Sequence, residues 1–320
     1  MRGKLAVVFG GSGFVGRHVV RELSKRGWRV RVAVRRPHHA QFLRPMGDVG
    51  QIQLFQANIR NRKSIADALK DADAVVNCVG IASQRGQQRF QAVHAEGARL
   101  LVDEVVKSNI SSFVQLSAIG ADEKSDSLYA RSKGLAERVI KIALPSSVIL
   151  RPSVIFGPED QFFNRLAEMA VSSPVLPLIG GGRSRIQPVY VDDIADAVCT
   201  TLEDVERTGC TYELGGPKVY TLKALVELVL HEIQRSRIIL PIPFASGPIL
   251  GLAGEAVALL PFGSPPITRD QVRLLRQHNT VSDDADTFRD LGIEPVTVEA
   301  ILPTYMVMYR RYGQFAEKSI

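Results

Sequence analysis

Three glycines near the start of the chain have the spacing of a phosphate-binding turn. Gly10, Gly13 and Gly16 follow an apolar run, Leu5–Phe9, and precede an amphipathic stretch, Phe14–Lys25. After a strand, such a turn lets the backbone approach a pyrophosphate, and the helix that follows points unpaired N–H groups and its positive dipole end towards it. The spacing therefore predicts a dinucleotide site at the first strand-helix junction.

Two arginines indicate which dinucleotide this site takes. In sites for NAD, an acidic residue about 20 positions after the glycines accepts hydrogen bonds from the ribose 2′-hydroxyl. Here Arg35 and Arg36 stand at that place, directly after an alternating run. A guanidinium can bind a 2′-phosphate bidentately, whereas a carboxylate would repel it. We therefore predict NADP(H) as the cofactor; the alternative is that the two arginines are a solvated strand edge.

Tyr129 and Lys133 could supply acid-base chemistry. They stand four residues apart in a predicted helix and so project from one face. An ammonium beside a phenol favours the phenolate, which lowers the pKa of the phenol towards that of a working general acid or base, and the ammonium can also hold ribose hydroxyls. The pair has two interpretations: a catalytic pair, or one that only binds the ribose of the cofactor.

Composition places the chain among ordinary globular proteins. Of its 320 residues 45% are hydrophobic and 23% charged, which excludes disordered and fibrous classes. The formal charge of +7 favours anionic partners such as the cofactor, an anionic membrane surface or an acidic protein. Dispersed basic residues and the lack of nucleic-acid motifs argue against nucleic acid. Cys78, Cys199 and Cys210 lack metal-ligand spacing, so we expect no metal site.

Alternating strand and helix patterns predict an α/β fold with a doubly wound (Rossmann) parallel sheet. The predicted strands cover residues 5–9, 30–34, 53–56, 74–79, 112–117 and 147–150. The predicted helices lie near residues 14–26, 63–70, 90–108, 126–143, 192–203 and 221–235. We expect an NADP(H)-binding Rossmann domain over residues 1–150, its sheet completed by later segments. Residues 151–320 are expected to form a smaller C-terminal α/β lobe, interleaved with the Rossmann core, that contacts a substrate or a partner.

Residues 238–262 are apolar and long enough to suggest a membrane helix. Their prolines and glycines, with Glu255, would break such a helix in lipid and leave backbone groups unsatisfied, so we predict that they do not span a membrane. The remaining alternatives are packing within the lobe, and docking of residues 249–260 as an interfacial helix on a membrane or a partner.

The chain resembles the short-chain dehydrogenase/reductase superfamily, in its extended form with a GxxGxxG turn. Within it, the chain is similar to the NADPH-binding accessory subunits of respiratory complex I and their bacterial homologues. The segments that carry the resemblance are VFGGSGFVGR (8–17), LRPMGDVG (43–50), VVNCVG (75–80), YARSK (129–133), RPSVIFGPED (151–160), QPVYVD (187–192) and ITRDQ (267–271). The glycine turn and YxxxK are common to a vast superfamily, whereas the segments at 43–50 and 267–271 are far more restricted.

The resemblance assigns the phosphate end of the cofactor to the first turn. The pyrophosphate would lie along this turn, against Gly10, Ser12, Gly13, Phe14, Val15 and Gly16. The 2′-phosphate would be bound by Arg17 and Arg35, with Arg36 assisting.

The resemblance also implies contacts for the rest of the cofactor. Adenine would contact Asn58 and Ile59. The ribose on the nicotinamide side would lie above Val79 and Gly80. The nicotinamide would be flanked by Pro152, Ser153 and Ile155.

Ser117, Tyr129 and Lys133 match the catalytic trio of the superfamily. The chain departs from it at the serine, because extended members usually carry the catalytic hydroxyl one residue later, where this chain has Ala118. Ser117 could then only cap the strand, and the site could bind NADPH without turning it over.

Three functional hypotheses follow. The resemblance favours an accessory or assembly subunit of respiratory complex I that binds complex I subunits and holds NADP(H) as a structural cofactor. The first alternative is an active NADPH-dependent reductase or epimerase for a small carbonyl or sugar-nucleotide substrate, and the second is an NADP(H) redox sensor. Because a strand follows Met1 almost at once, we expect no targeting segment. The expected location is cytoplasmic, peripheral on the inner face of a bacterial inner membrane, or on the matrix side in mitochondria.

Overall fold

The computed structural model describes residues 3–244 and 268–315, and strands and helices alternate through residues 5–152. The strands are Leu5–Phe9 (β1), Arg29–Val34 (β2), Ile52–Gln56 (β3), Ala74–Asn77 (β4), Ser112–Leu116 (β5), Val148–Pro152 (β6), Ile155–Phe156 (β7), Val175–Ile179 (β8), Arg185–Ile186 (β9), Val189–Tyr190 (β10), Thr211–Leu214 (β11), Tyr220–Thr221 (β12) and Ile238–Ile242 (β13). The α-helices are Phe14–Lys25 (α1), Arg62–Ala68 (α2), Glu96–Lys107 (α3), Leu128–Ala143 (α4), Phe163–Ser172 (α5), Val191–Glu203 (α6), Leu222–Glu232 (α7), Arg269–Leu274 (α8) and Val298–Met306 (α9). A 3-10 segment covers Pro37–Met46 and a π turn covers Gln91–Ala95.

Seven strands form one parallel sheet in the order β11-β6-β5-β4-β1-β2-β3. Val7 of β1 pairs with Arg31 of β2 on one side and with Val75 of β4 on the other. The order of the strands therefore reverses beside β1, and doubly wound sheets bind ligands at the carboxyl ends of the strands at such a point. The predicted Rossmann-type α/β fold is confirmed.

Burial explains why these segments form strands and helices. All residues of β1 and β4 are buried, as expected where helices cover both faces of a parallel sheet. Helix α1 buries Gly16, Val19, Val20 and Leu23 along one face, which follows from their helical spacing. This repeated burial of aliphatic side chains is the main free-energy term that holds the sheet and its helices together.

The chain divides into two units, each described by itself. Unit 1 comprises Met1–Pro152, Val191–Leu214 and Ser282–Glu294, and it contains the seven-stranded sheet. Unit 2 comprises Ser153–Tyr190, Gly215–Val281 and Pro295–Ile320. Its own core includes Phe156, Phe163 and Leu225, and its strands pair as β7 with β10, β8 with β13, and β9 with β12.

The predicted strands and helices lie at the expected places, with ends that differ by a few residues. One prediction needs correction: the helix expected over residues 90–108 is interrupted, with the π turn Gln91–Ala95 ahead of α3. In that wider turn the His94 side chain is buried and hydrogen-bonded on both ring nitrogens.

The apolar stretch at 238–262 is described only as far as residue 244. It begins with β13, and the interfacial helix predicted over residues 249–260 lies outside the described residues. In the part of the chain that the structure covers, no helix combines the length and the apolar character needed to span a bilayer.

Candidate functional site

The turn between β1 and α1, residues 10–17, is called the cofactor turn. Gly10 has a φ of +78°, and a Cβ atom there would lie 3.1 Å from the carbonyl carbon and oxygen of Cys78. The Gly13 N–H donates to the Gly10 carbonyl at 2.9 Å. A Cβ atom at Gly16 would overlap that same carbonyl oxygen. Glycine is therefore required at positions 10 and 16 for the helix to begin this close to the strand.

The first turn of α1 offers a binding site for an anion. Its N-cap is Gly13, which supplies no side-chain hydrogen bond, and the first turn contains no acidic residue. Helix N-terminal N–H groups without side-chain acceptors combine with the positive dipole end to favour a phosphate. The sequence placed Ser12, Phe14 and Val15 in this turn as well, and their contact with a pyrophosphate stays a prediction.

The arginines predicted to bind the 2′-phosphate fall into two groups. Arg17 lies with its guanidinium carbon 4.8 Å from the centre of the Phe42 ring, a cation-π contact with the 3-10 segment. Arg35 and Arg36 are exposed directly after β2. No carboxylate in residues 3–244 or 268–315 forms an ion pair with either of them. Both are therefore available to bind an anion.

Residues at the ends of β3 and β4 have local hydrogen bonds that fix the backbone. The Asn58 Oδ1 atom accepts from the Arg60 N–H at 3.1 Å, and Ile59 is buried. The Val79 N–H donates to Asn77 Oδ1 at 3.1 Å. These residues and the cofactor turn all follow carboxyl ends of neighbouring strands, which is the edge where the sheet is expected to bind a ligand.

Tyr129 lies in the first turn of α4. Three aromatic rings and one lysine form a group that we call the tyrosine cluster: Phe90, His94, Tyr129 and Lys133. The ring centres of Phe90 and His94 are 5.6 and 5.5 Å from that of Tyr129, both edge-to-face. The Lys133 Nζ atom lies 6.0 Å from the centre of the Tyr129 ring and donates to the Leu116 carbonyl at 3.0 Å. The helix thus brings the predicted pair to one face.

The ionisation of this pair differs from the prediction. Burial raises the pKa of Tyr129 to about 12 and lowers the pKa of Lys133 to about 8. The predicted lowering of the Tyr129 pKa by the ammonium is therefore wrong, because removal of the phenol from water outweighs an ammonium that binds a carbonyl instead. The pair as it stands favours the neutral phenol.

His94 holds two parts of the cluster together. Its Nε2 atom accepts from the Ile81 N–H at 3.0 Å, so the proton of a neutral ring is on Nδ1, which donates to Ser132 Oγ at 2.9 Å. The Ser132 hydroxyl in turn donates to the Tyr129 carbonyl at 2.8 Å. Burial, with the charge of Lys133, lowers the His94 pKa to about 3. His94 is thus a neutral positioning residue.

Ser117 belongs to a second group, the Glu137 network: Ser117, Glu137, Arg151, Glu213 and Ser282. The Ser117 hydroxyl donates to Glu137 Oε1, and Arg151 binds the same carboxylate with Nη2 at 2.7 Å and Nε at 3.0 Å. Arg151 also reaches Glu213 at 3.4 Å, whose Oε2 accepts from both the N–H and the hydroxyl of Ser282 at 2.9 Å. The Ser117 hydroxyl is therefore bonded to a buried carboxylate, and its predicted catalytic role stays a prediction.

The three residues predicted beside the nicotinamide lie in two different units. Pro152 ends β6 in unit 1, where its carbonyl accepts from the Ile119 N–H at 3.0 Å. Ser153 begins unit 2, and its hydroxyl donates to Asn279 Oδ1 at 2.5 Å. Ile155 is in β7 and pairs with Val189. Their contact with a nicotinamide stays a prediction.

Metal binding finds no support in the described residues, where no three His, Cys, Asp or Glu side chains are grouped to hold an ion. A family model matches residues 6–215. The chain belongs to the NAD dependent epimerase/dehydratase family. The resemblance stated from the sequence motifs is thereby confirmed, since this family comprises extended short-chain dehydrogenase/reductase proteins.

Two curated relatives illustrate the range of this epimerase/dehydratase family. The chain is 33% identical over 321 residues to mitochondrial NADH dehydrogenase (ubiquinone) 1 alpha subcomplex subunit 9 of Arabidopsis thaliana, covering 97% of this chain and 79% of that protein. It is 34% identical over 221 residues to ceramide reductase of Caulobacter vibrioides, covering 66% of this chain and 68% of that protein. The relatives of this chain therefore include a respiratory subunit and a reductase.

A solved structure supports the fold of this family member. The crystal structure of dTDP-glucose 4,6-dehydratase from Bacillus anthracis in complex with NAD has a TM-score of 0.72 to this chain, with 19% identity and coverage of 96% of each chain. The likeness shows the shared architecture. The glycines at positions 10 and 16, which let α1 begin close to the end of β1, and the N-terminus of α1 without a side-chain cap fit a dinucleotide at this turn.

Sequence analysis missed the residues that tie this site together. Glu137 follows Tyr129 and Lys133 at further helical spacing, which was a usable signal for a third side chain on that face. Arg151, Glu213 and Ser282 lie far away in the sequence, and nothing local pairs them with Glu137. His94 had only its place in a predicted helix, where a lone histidine has many ordinary explanations.

Proposed function

We propose that the chain is an NADP(H)-binding accessory subunit of respiratory complex I whose dinucleotide is structural. The observation that carries the proposal is the similarity to a mitochondrial complex I subunit over 97% of the chain. Similarity of that extent includes both units, rather than the Rossmann part alone, which is the expected result if the whole chain is retained for one assembly. The proposed partners are complex I subunits, at the inner face of a bacterial inner membrane.

The cofactor turn supports the dinucleotide, and the arginines support its phosphorylated form. Gly10 and Gly16 let α1 begin close to the end of β1, and the α1 N-terminus provides N–H donors for a pyrophosphate. Arg35 and Arg36 are exposed and have no carboxylate partner among the described residues. A 2′-phosphate would neutralise them through charge-assisted hydrogen bonds, which the hydroxyl of NAD would not.

The bonded hydroxyl of Ser117 supports a cofactor that is held without turnover. A bound nicotinamide supplies hydride-transfer chemistry, which requires a nearby acid to protonate the developing alkoxide. Ala118 provides no hydroxyl, and Ser117 donates its proton to Glu137. Tyr129 is then the one hydroxyl left of the predicted trio, and in this proposal it binds the cofactor ribose together with Lys133.

A second candidate function is a reductase, and the similarity to ceramide reductase favours it. Tyr129 and Lys133 keep the spacing that such catalysis needs, and a bound cofactor would change the burial of both. In this reading Tyr129 is the general acid that protonates the reduced carbonyl. The substrate would be a small carbonyl compound or a lipid ketone.

Copurification and nucleotide analysis test the proposal together. The tagged full chain, isolated from respiring membranes, is expected to bring complex I subunits with it and to release NADPH, close to one per chain, when it is denatured. Recovery of the chain with no complex I subunit would sink the proposal. Release of NAD instead would contradict the assignment of Arg35 and leave the subunit role standing.

Tyr129→Phe separates the two functions. A structural cofactor predicts that the variant retains NADPH within about fivefold of the wild-type affinity, because one hydroxyl contributes about 1 kcal/mol or less. Steady NADPH oxidation by the wild type with ceramide-type ketones or short carbonyl compounds, abolished in Tyr129→Phe, would establish the reductase instead.

A further inference from the structure

The arginines of unit 1 fall into two classes by their partners. Seven of them form ion pairs with carboxylates: Arg21, Arg26, Arg62, Arg99, Arg138, Arg151 and Arg207. Nine others have no carboxylate partner in the described part of the chain: Arg29, Arg35, Arg36, Arg44, Arg60, Arg85, Arg89, Arg131 and Arg289. All but Arg29 and Arg289 come after the carboxyl ends of β2, β3, β4 and β5 in the chain. Seven unpaired arginines therefore follow the edge of the sheet where ligands are expected.

A 2′-phosphate would use only part of this charge. Arg35 and Arg36 stand after β2, where that phosphate is expected. Arg85 and Arg89 stand after β4, on the turn between Ser83 and Phe90, and nothing in the proposed cofactor site involves them. These two exposed arginines are therefore available to a different anionic partner.

The turn that carries Arg85 and Arg89 is held in one shape. The Arg85 N–H donates to the Gln88 carbonyl at 3.0 Å, and the Gln88 N–H donates back at 2.9 Å. Gly86 between them has a φ of +54°. At the base of the turn, Arg60 Nη1 donates to the Gln87 carbonyl at 2.8 Å. Both exposed guanidinium groups are thus presented from a preorganised backbone, which lowers the entropy cost of binding.

The chemistry of this turn selects the kind of partner. Residues 82–89 contain no large apolar side chain that could enter a lipid layer. The N–H groups of Arg85 and Gln88 are bonded within the turn, so they do not form a backbone cradle for a phosphate. What remains is two guanidinium forks beside glutamine amides, which suits carboxylates spaced along a protein surface.

We infer that the turn at residues 83–90, through Arg85 and Arg89, docks on an acidic surface of a partner protein. The inference rests on the proposed function, in which that partner is a neighbouring complex I subunit. Charges at the edge of an interface act mainly on the rate of association and on its salt dependence. Reversing both is therefore expected to weaken docking strongly at low salt and progressively less at high salt.

The test compares two double variants of the tagged full chain with the same change in net charge. Arg85→Glu with Arg89→Glu reverses the two turn arginines. Arg99→Glu with Arg138→Glu reverses two arginines that are paired inside the chain, with Asp103 and Glu123. Complex I subunits recovered from respiring membranes, the NADPH per chain and the melting temperature are measured for each, at about 50 and 300 mM salt.

The turn variant is expected to recover at least about tenfold fewer complex I subunits than the wild type at low salt, with NADPH per chain unchanged. The control variant is expected to melt earlier and to recover its partners. Equal recovery by the turn variant and the wild type would overturn the docking inference and leave the proposed function intact. Equal losses in both variants would show an effect of net charge alone, which also overturns it.

Two further outcomes identify other partners. If the wild type recovers no complex I subunit, the proposed function fails and the docking inference fails with it. Binding to phosphatidylglycerol vesicles distinguishes a lipid surface: loss of vesicle binding in the turn variant, with subunit recovery retained, would replace the protein partner by lipid. Arg85→Gln with Arg89→Gln is expected to show a smaller loss of subunits than the reversal, which excludes misfolding by the introduced carboxylates.

Discussion

The cofactor turn and the tyrosine cluster lie on the same unit and differ in how their polar groups are used. At the cofactor turn, the α1 N-terminus has no side-chain cap, and the nearby Arg35 and Arg36 have no carboxylate partner in the described chain. Around Tyr129, the Ser117 hydroxyl, the Lys133 ammonium and both His94 nitrogens already have protein partners. The cofactor turn has donors left for a ligand, whereas the donors around Tyr129 already form hydrogen bonds within the protein.

This difference separates binding from catalysis. Donors without protein acceptors gain most of their hydrogen-bond energy from an incoming anion. Groups with acceptors must lose an existing bond before they can move a proton, and a buried bond is costly to break. The proposed structural cofactor requires a dinucleotide site with donors left for the ligand, next to a Ser117 hydroxyl that is already bonded to Glu137. The predictions below test the cofactor turn and the surroundings of Tyr129 separately.

The largest effect is expected in the Glu137 network, from Glu137→Ala. The change leaves the half-buried Arg151 without its bidentate partner and the buried Ser117 without an acceptor. We expect the free energy of unfolding to fall by about 3–5 kcal/mol, as measured by urea unfolding. Glu137→Gln keeps an acceptor for Ser117, so its loss of unfolding free energy is expected to be smaller than that of Glu137→Ala. A loss below about 1 kcal/mol would mean that the network contributes little to stability.

In the cofactor turn, Gly10→Ala is expected to lower NADPH affinity by about a hundredfold or more. Its φ of +78° strains any other residue, and the new Cβ would press on the Cys78 carbonyl. The turn would shift, with the loss of one or two charge-assisted bonds of about 1.5–3 kcal/mol each. Gly50→Ala is the control, because Gly50 has a φ of +81° and open space around it. Calorimetric titration should find NADPH affinity unchanged in Gly50→Ala, and equal losses in both variants would contradict the assigned role of the turn.

Arg35→Glu sharpens the assignment of the phosphate. The loss of one charge-assisted contact to a 2′-phosphate is expected to weaken NADPH by about 10- to 100-fold and to leave NADH binding nearly unchanged. Arg44→Glu makes the same change of charge at another unpaired arginine of that edge and should have a much smaller effect. If NADPH affinity survives in Arg35→Glu, the phosphate is bound elsewhere.

The smallest expected effect is the loss of stability when His94 of the tyrosine cluster becomes protonated in acid. The His94 pKa is about 3 in the folded chain and near 6.5 when unfolded. Between these values the unfolded chain binds one more proton, so stability is retained above pH 6.5 and falls as the pH is lowered towards 3. At pH 5.5 we expect His94 to have lowered the free energy of unfolding by about 1.4 kcal/mol relative to its value at high pH. Urea unfolding of the wild type and of His94→Gln should show a steeper pH dependence for the wild type, and parallel curves would exclude this role for His94.

The two regions were also unequally readable from the sequence. The cofactor turn is local: Gly10, Gly13 and Gly16 are close together, and Arg35 follows the next strand, so short-range spacing sufficed to place them. The strand and helix periods that position this turn were equally visible. The fold class therefore followed from local periodicity, whereas the family followed from motifs spread over residues 8–271.

The tyrosine cluster and the Glu137 network could not be read in the same way. Arg151 and Glu213 reach Glu137 only because parallel strands distant in the sequence are neighbours in the sheet. The pKa of Tyr129 depends on how much water its surroundings exclude, which no spacing of residues reveals. Pair spacing indicated that Tyr129 and Lys133 share a face, and burial sets the pKa of each side chain.

The order in which unit 1 is assembled from the chain has a consequence for its synthesis. Strand β11 and the Ser282 cover of Glu213 belong to unit 1 but are separated from residues 1–152 by stretches of unit 2. A ribosome that has released the first 152 residues has exposed the whole cofactor turn without the edge strand or the Glu213 carboxylate. During that interval Arg151 lacks one of its two acidic partners. Its ion pair with Glu213 becomes possible once β11 emerges, and the hydrogen bonds from Ser282 to Glu213 become possible only with the last quarter of the chain.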